Sequence, residues 1–196
     1  MPNPSGLRQA RLMDPSSFVN QIREHYLGQF REFVEQQRRN SSKCASEVKL
    51  LLGDESEIFR HLYCVDFIRN DDPPEVIELQ PDRFLSFEPL SGSFGDAALK
   101  IEQLRWDDVL IHHDASNPLD QLDGWFDNWF DPEDRRLDPS ADVGNVIHSL
   151  LVQPGSLSVD MGTAATDALW DVLDLLEKAG ARSICISASR SEAPAT

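Results

Sequence analysis

The N-terminal part of the chain shows a helical pattern of apolar residues. Asp14-Pro15 is typical of a helix start, because aspartate caps free N–H groups and proline fits the first helical position. Apolar side chains then recur every three or four residues until a polar cluster begins at Asn40; they are Phe18, Ile22, Tyr26, Phe30 and Phe33. We therefore expect a helix from Pro15 to about Arg38 whose aromatic stripe packs against a neighbouring sheet.

Short segments with strand-like composition follow this helix. Those that indicate strands are residues 62–68, 76–79, 84–88 and 98–104, while residues 47–52 are ambiguous. Turn-forming residues separate them, as in Asn-Asp-Asp-Pro-Pro at 70–74 and Gln-Pro-Asp at 80–82. This order predicts that residues 1–105 combine an N-terminal helix with an antiparallel meander.

The second half of the chain reads strand, helix, strand, strand, helix, strand. Strands are indicated at residues 109–111, 146–152, 157–161 and 184–186. One helix opens at Asn117-Pro118, and the other is capped by Thr163 and ended by Gly180. This order fits a ferredoxin-like βαββαβ unit over residues 106–190. We therefore expect an α+β protein in which that unit packs on residues 1–105, with a disordered tail at residues 191–196.

The formal net charge of −16 is distributed unevenly along the chain. Residues 1–43 carry a balance of +3 and the remainder −19, of which residues 107–142 alone contribute −9. A field of this sign repels nucleic acid and anionic membranes and attracts basic proteins. We expect a basic protein as the partner, and neither nucleic acid nor a membrane. The alternative is that the acidity serves only to keep the protein soluble.

Cysteine usage and the N-terminal residues indicate a reducing compartment. Cys44, Cys64 and Cys185 are sparse and form no C-x-x-C pair, so neither a disulfide framework nor a structural zinc site is expected. The first residues contain no apolar signal segment, and the longest aliphatic run, residues 50–52, is far short of the ~20 residues of a membrane helix. The expected location is the cytoplasm, and no cofactor is expected.

Aspartates recur along one side of each predicted helix of the second half. Side chains spaced three and four residues apart share a helix face. They are Asp120, Asp123 and Asp127 on the first of these helices, and Asp167, Asp171 and Asp174 on the second. Both helices of a ferredoxin-like unit cover one sheet face, so their outer sides would form one broad acidic surface. We expect a partner to bind there, with Trp125 or Phe130 as an apolar anchor if either escapes the core; a solvated acidic face is the alternative.

A hairpin around Pro154-Gly155 defines a second, open face of the predicted sheet. Pairing across that turn directs four apolar side chains toward the helices: Leu150, Val152, Leu157 and Val159. The opposite face then carries a polar row with Ser149, Ser158 and Asp160, together with His112 or His113. Because successive strand residues point to opposite faces, the two histidines do not share a metal ion, and no metal site is expected. His148 is expected to be buried and hydrogen-bonded.

Three functions remain open on this basis. The first is a non-catalytic binding protein, of the inhibitor, immunity or adaptor kind, whose acidic helices engage a basic macromolecular partner. The second is an enzyme or small-ligand sensor that uses the open sheet face. Residues 91–95, Ser-Gly-Ser-Phe-Gly, do not match the G-x-S-x-G nucleophile elbow, and we favour a protein without catalytic activity. The third is a homodimer formed through the open face.

Overall fold

The structure is a computed structural model that describes residues 15–41, 43–116 and 119–189. Within these residues the helices are α1 (Pro15–Asn40), α2 (Leu119–Phe130) and α3 (Asp167–Lys178). The strands are β1 (Cys44–Leu51), β2 (Leu62–Arg69), β3 (Glu75–Ile77), β4 (Leu90–Phe94), β5 (Ala97–Ile101), β6 (Val109–His113), β7 (Ser149–Gln153), β8 (Ser156–Asp160) and β9 (Ser183–Ser187). The predicted cap at Asp14, the helix start at Asn117-Pro118 and the tail at 191–196 lie outside the described residues.

The expected α+β class is confirmed. The protein has an N-terminal helix, a three-stranded antiparallel sheet, and a mixed six-stranded sheet with two more helices. Among the residues that the structure describes, no helix combines the length and the apolar composition needed to cross a membrane.

Helix α1 buries its apolar stripe, as the spacing predicts. Four of the five stripe residues are buried, and the fifth, Phe33, packs edge-on against Phe67 of β2. The polar side of the helix is anchored as well, because Arg23 donates to the carbonyl oxygens of Thr163 and Ala164 at 3.0 and 2.6 Å. Helix α1 therefore contacts both the three-stranded sheet and the loop that precedes α3.

The antiparallel meander is shorter than predicted. Strands β1, β2 and β3 pair antiparallel in chain order, and the ambiguous segment 47–52 lies in β1 except for its last residue. The predicted strand at residues 84–88 is wrong, because residues 78–89 form no strand. The adjoining backbone finds side-chain partners instead of a neighbouring strand: Arg83 N donates to Gln29 Oε1, and Arg83 O accepts from Gln29 Nε2.

The six-stranded sheet has the order β4-β5-β9-β6-β8-β7. Strand β5 runs parallel to β9, and all other neighbours are antiparallel. The predicted hairpin register is confirmed, with Leu150 opposite Val159 and Val152 opposite Leu157. The core beneath α2 and α3 includes alternate residues of four strands: Ile111, Leu150, Leu157, Val159, Ile184 and Ile186.

The two sheets meet at His148, directly before β7. Its carbonyl oxygen accepts from Cys64 N of β2 at 2.8 Å, and its own N–H donates to Asp160 O of β8 at 2.9 Å. A bridge between Ile58 and Leu151 continues this contact. The hairpin of β4 and β5 lies before residue 105 yet pairs with β9, so the six-stranded sheet draws strands from both sides of that position.

Candidate functional site

The aspartates predicted to bind a partner lie on two helices that pack side by side. Trp125 Nε1 donates to Ala168 O at 2.9 Å, and Trp129 Nε1 donates to Asp171 Oδ2 at 3.0 Å. These two tryptophans mark the side of α2 that faces α3, and they hold the two helices in register.

Asp123 and Asp127 lie on the flank of α2 that points away from α3. At about 100° per residue, both are turned by roughly 120–160° from Trp125 and Trp129. The carboxylate of Asp127 agrees with this orientation, because it pairs with Arg60 at 2.5 Å on the far side of the helix. The aspartates of α2 and α3 therefore form two separate rows, with Asp123 and Asp127 turned away from α3 and Asp171 of α3 in contact with Trp129 between the helices.

Partners within the chain already engage part of these rows. The carboxylates with partners are Asp127, Asp171 and Asp174, which contact Arg60, Trp129 and Lys178 respectively. Asp123 and Asp167 are exposed and contact no partner among the described residues. The side chain of Asp120 lies outside the described part of the structure. Asp123 and Asp167 are thus the carboxylates most open to an incoming cation.

Neither of the two candidate apolar anchors reaches the surface. Trp125 and Phe130 are 6% and 0% exposed and belong to the core. The outer sides of α2 and α3 therefore offer charge without these aromatic side chains, so binding there would depend mainly on electrostatics and would weaken as salt rises.

The polar row on the open sheet face is split between two ends of β8. Ser149 lies opposite Asp160, whereas His112 lies opposite Ser156, and Ser158 is between them. Ser156 and Asp160 are four positions apart along β8, which is about 13 Å. A serine, a histidine and a carboxylate must lie within hydrogen-bond reach of one another to form a hydrolytic site, and this row does not bring them together.

His112 and His113 point to opposite faces, as strand alternation predicts. His112 is exposed on the open face, while His113 is buried on the helix side. Burial lowers the pKa of His113 against the opposing influence of Asp114, so its ring is neutral at pH 7. Within the described residues, no group of three or more His, Cys, Asp or Glu side chains is arranged to hold a metal ion.

The junction of the two sheets contains a buried acidic cluster that the sequence pattern did not reveal. His148 is 1% exposed, and its ring lies between two carboxylates. Nε2 is 3.4 Å from Glu47 Oε1, and Nδ1 is 2.9 Å from Asp66 Oδ1 in an ion pair whose angle falls short of a hydrogen bond. We call Glu47, Asp66, His148 and Asp160 the His148 cluster.

Glu47 reaches this cluster because β1 is distorted at that residue. Its φ is +52°, in the left-handed region, and the register of β1 on β2 skips it. The carboxylate accepts from Thr163 Oγ1 at 2.5 Å and from Gly144 N at 2.6 Å. Gly162 completes the fit, because a Cβ at that position would overlap the imidazole of His148.

The acids of this region have pKa values that differ in direction. Burial alone would raise the pKa of Glu47, but the hydrogen bonds that it accepts outweigh burial and leave this pKa below its usual value. Burial raises the pKa of Asp160 to about 7, and that of Glu78, next to Asp66, also to about 7. Burial alone would lower the pKa of His148, yet the acidic groups around the ring raise it well above its usual value.

The His148 cluster is poorly suited to acid–base catalysis at neutral pH. Its imidazole is protonated, so it has no lone pair with which to accept a proton from a substrate. Both ring nitrogens are within 3.4 Å of carboxylate oxygens, and the ring is too buried for a substrate to touch it. The arrangement is suited instead to holding charge and protons inside the fold.

A cavity of about 190 Å³ lies beside Glu47. Its wall comes from β1, the end of α1 and residues 131–146, and carboxylates outnumber cations in it: Glu47, Asp131, Asp134, Asp138 and Asp142 against Arg38 and Lys49. Lys49 pairs with Asp134 and donates to Asp131 O at 2.5 Å. The cavity is therefore anionic and would favour a cation over an anion.

The aspartates of residues 131–142 also stabilise this irregular segment itself. Asp131 has a φ of +53°, which aspartate tolerates better than most residues do. Its carboxylate accepts from the N–H groups of Arg135 and Arg136 at 3.0 and 2.8 Å, and Asp138 accepts from Ser140 N at 2.8 Å. Turn formation therefore accounts for part of the acidity of this segment.

Comparison of the chain with protein-family models, with curated proteins and with solved structures finds no match.

Proposed function

We propose that the protein is a non-catalytic binding module that engages a basic macromolecular partner through the outer sides of α2 and α3. These two helices carry seven Asp or Glu residues and a single Lys. We call their exposed rows the acidic helical surface, which consists of Asp123, Asp127, Asp167, Asp171 and Asp174.

The observation that carries this proposal is the pairing of the basic residues. In the described part of the chain, thirteen of the fifteen Lys and Arg residues lie 3.9 Å or less from a carboxylate oxygen of the same chain. The excess negative charge is left without an internal counterion and acts on the surroundings. A partner rich in Lys or Arg gains both attraction and orientation from such a surface.

The partner would supply cationic side chains rather than apolar ones. Asp123 and Asp167 have no internal partner to displace, so a Lys or Arg can pair with them at little cost. Asp127 and Asp174 would have to exchange Arg60 and Lys178 for the partner's cations. Such exposed pairs are weak, so this exchange is feasible for a partner that presents several cations at once.

We also infer that residues 106–190 form a ferredoxin-like unit that is extended on one side by β4 and β5. The order β9-β6-β8-β7 with antiparallel neighbours supports this, as do the two helices that contact each other on one face of the sheet. Such a fold presents its helical layer as one exposed surface, and it hosts many unrelated activities.

A charge-neutralised variant tests the acidic helical surface. The double variant Asp123→Asn and Asp167→Asn removes its two unpaired carboxylates without changing side-chain size. Binding is measured to poly-L-lysine as a defined probe, and to any basic protein captured from the native cytosol, at low and high salt. We expect several-fold weaker binding by the variant and a smaller loss of affinity on adding salt.

A matched control separates the surface from the overall charge. The double variant Asp72→Asn and Glu88→Gln removes the same charge at two other exposed acids outside α2 and α3. It should bind the captured protein as the unmodified chain does. Equal binding by all three proteins, or equal losses in both variants, would contradict the assignment of the partner to α2 and α3.

A further inference from the structure

The His148 cluster joins the two sheets through both its backbone and its side chains. The main chain of His148 bonds to Cys64 of β2 on one side and to Asp160 of β8 on the other. Its ring contacts Glu47 of β1 and Asp66 of β2. The bond to Asp160 lies within the β7–β8 hairpin region, whereas the contacts with Glu47, Cys64 and Asp66 join segments that are distant in sequence. The cluster therefore connects the three-stranded sheet to the six-stranded sheet.

The charges at this junction do not balance. Glu78 lies beside the cluster, because its Oε2 accepts from Asp66 N at 3.2 Å, and Asp66 Oδ2 accepts in turn from Leu79 N at 2.6 Å. The carboxylates of Glu47 and Asp66 contact the imidazole, and those of Asp160 and Glu78 interact with it electrostatically, so four carboxylates share one imidazole. With all of them ionised and His148 protonated, the net charge would be −3 beside a ring that is 1% exposed. Burying uncompensated charge is strongly unfavourable, so the folded protein retains protons here.

Other groups at the junction do not remove this imbalance. The titratable and charged groups that face the cluster are Tyr26 from α1, Glu47 and Lys49 from β1, Tyr63, Cys64 and Asp66 from β2, Glu78 after β3, Asp107 before β6, His148 before β7, and Asp160 in β8. Lys49 is turned toward Asp131 and Asp134. Burial raises the pKa of both tyrosines and of Cys64, so these three groups stay neutral.

We propose that the His148 cluster and Glu78 form a proton-dependent clasp between the two sheets. When Asp160 and Glu78 carry protons, the clasp holds β1 and β2 against β8. Loss of these protons as the pH rises through neutrality adds two negative charges at partly buried positions and loosens the junction. The site therefore binds and releases protons, and this changes the strength of the contact between the three-stranded sheet and the six-stranded sheet.

The sign of the pH dependence of stability follows from the difference between the folded and unfolded pKa values of each group. An unfolded carboxyl group titrates near pH ~4, whereas burial raises the pKa of Asp160 and of Glu78 to about 7 in the folded protein. Stability from these two groups is fully present below the unfolded value and is lost as pH rises to the folded value. Glu47, with a lowered pKa, acts in the opposite direction but only at acidic pH. His148, whose pKa is raised, acts in the same direction as Asp160 and Glu78. Between pH 5 and 8 the stability of the protein is therefore expected to fall as the pH rises.

The variant Asp160→Asn tests the clasp. Asparagine keeps the oxygen that accepts from Gly162 N at 2.9 Å, but it cannot ionise. Thermal unfolding is followed at pH 5.5 and at pH 8. We expect the melting temperature of the unmodified protein to fall by roughly 5 °C or more between these pH values, and that of the variant to fall clearly less. Glu78→Gln should act in the same direction, and the double variant should keep only the part of the pH dependence that the raised pKa of His148 contributes.

Two further measurements make the outcome decisive. Glu88→Gln, at an exposed carboxylate outside α2, α3 and the His148 cluster, should keep the full pH dependence of the unmodified protein. Carbon-13 NMR of the side-chain carboxyl of Asp160 in the unmodified protein gives its titration directly and does not depend on whether any variant folds; we expect a midpoint near 7. A midpoint near 4, or a pH dependence that survives unchanged in Asp160→Asn, would overturn the proposal.

Hydrogen exchange locates the response. The Cys64 amide, bonded to His148 O, should lose protection from pH 5.5 to pH 8 relative to the amide of Ile111 in the centre of the six-stranded sheet. A change of equal size at both amides would indicate global unfolding and would contradict a local clasp.

Discussion

The backbone of Glu47 is held in a conformation that its side chain disfavours. A left-handed φ at a residue other than glycine costs on the order of 1 kcal/mol or more, and it persists only where the surroundings fix it. Here the bonds from Thr163 and Gly144 to the carboxylate provide that constraint. The distortion of β1 and the position of this acid at the junction of the sheets therefore accompany each other.

Gly162 gives the sharpest test at the scale of one residue. Its φ is +48°, and an added Cβ would overlap the ring of His148, so Gly162→Ala should lower the free energy of unfolding by about 2–4 kcal/mol. Urea unfolding at pH 6 measures the loss. Gly28→Ala is the control, since its Cβ would meet nothing within 4 Å, and it should leave stability unchanged or slightly higher. Equal stability of the two variants would show that Gly162 is not required.

Single residues were predictable only where a local pattern controls them. The burial of His148 follows from its register with Leu150, and the opposite directions of His112 and His113 follow from strand alternation. The acids that surround His148 were not predictable in this way. Glu47 lies 101 residues before His148 and Asp66 lies 82 residues before it, and no periodicity relates positions so far apart.

At the scale of elements, α1 is held by its polar side as well as by its apolar stripe. Arg23 is largely buried and bonds two carbonyl oxygens of the loop before α3, across about 140 positions of sequence. This contact sets how the helix lies on the C-terminal part of the chain, and Thr163 in that loop also holds Glu47. Movement of α1 would therefore shift Thr163 and, through it, Glu47 of the His148 cluster.

The anchor of α1 is tested by Arg23→Met, which keeps the apolar stem and removes the donors. We expect the free energy of unfolding to fall by about 1.5–3 kcal/mol, because two hydrogen bonds from a charged donor are lost. Arg39→Met on the same helix removes only an exposed pair with Glu35 and should have no measurable effect. Chemical unfolding of both variants provides the comparison. Similar losses would mean that the loop contact does not hold the helix.

Elements were predictable where apolar spacing is regular, and their partners were not. The stripe of α1 and the hairpin register around Gly155 are local features, and both are confirmed. Strand pairing depends on segments that are distant in sequence. Nothing near β5 in the sequence therefore indicates that it pairs with β9. The strand expected at residues 84–88 failed for a related reason, since side chains from α1 take the place of a neighbouring strand.

For the whole molecule, the balance of charge matters more than any individual ion pair. The net charge of −16 coexists with many internal ion pairs, most of which involve exposed side chains. Exposed pairs of this kind contribute little, whereas unpaired like charges repel over about 10 Å at moderate salt. Repulsion among the excess acids is therefore expected to lower the free energy of unfolding.

Salt should stabilise the protein as a result. Raising sodium chloride from about 20 to about 300 mM screens the repulsion among the acids, and we expect the melting temperature to rise by a few degrees. Differential scanning calorimetry at pH 6 measures the change, and potassium chloride at the same ionic strength shows whether the effect depends on the particular cation. A melting temperature that falls with salt would show that the internal ion pairs dominate instead.

The position of β9 has a consequence for how the chain is made. This strand lies between β5 and β6 in the six-stranded sheet, yet it is the last strand in chain order among the described residues. During synthesis the β4–β5 hairpin and the β6–β8–β7 portion can each form, but no strand pairing joins them until residues 183–187 leave the ribosome. Until then the nascent chain carries two open strand edges that can pair with other chains. The sheet is therefore completed late in synthesis. When several nascent chains lie close together, they can pair wrongly through these open edges until β9 has been synthesised.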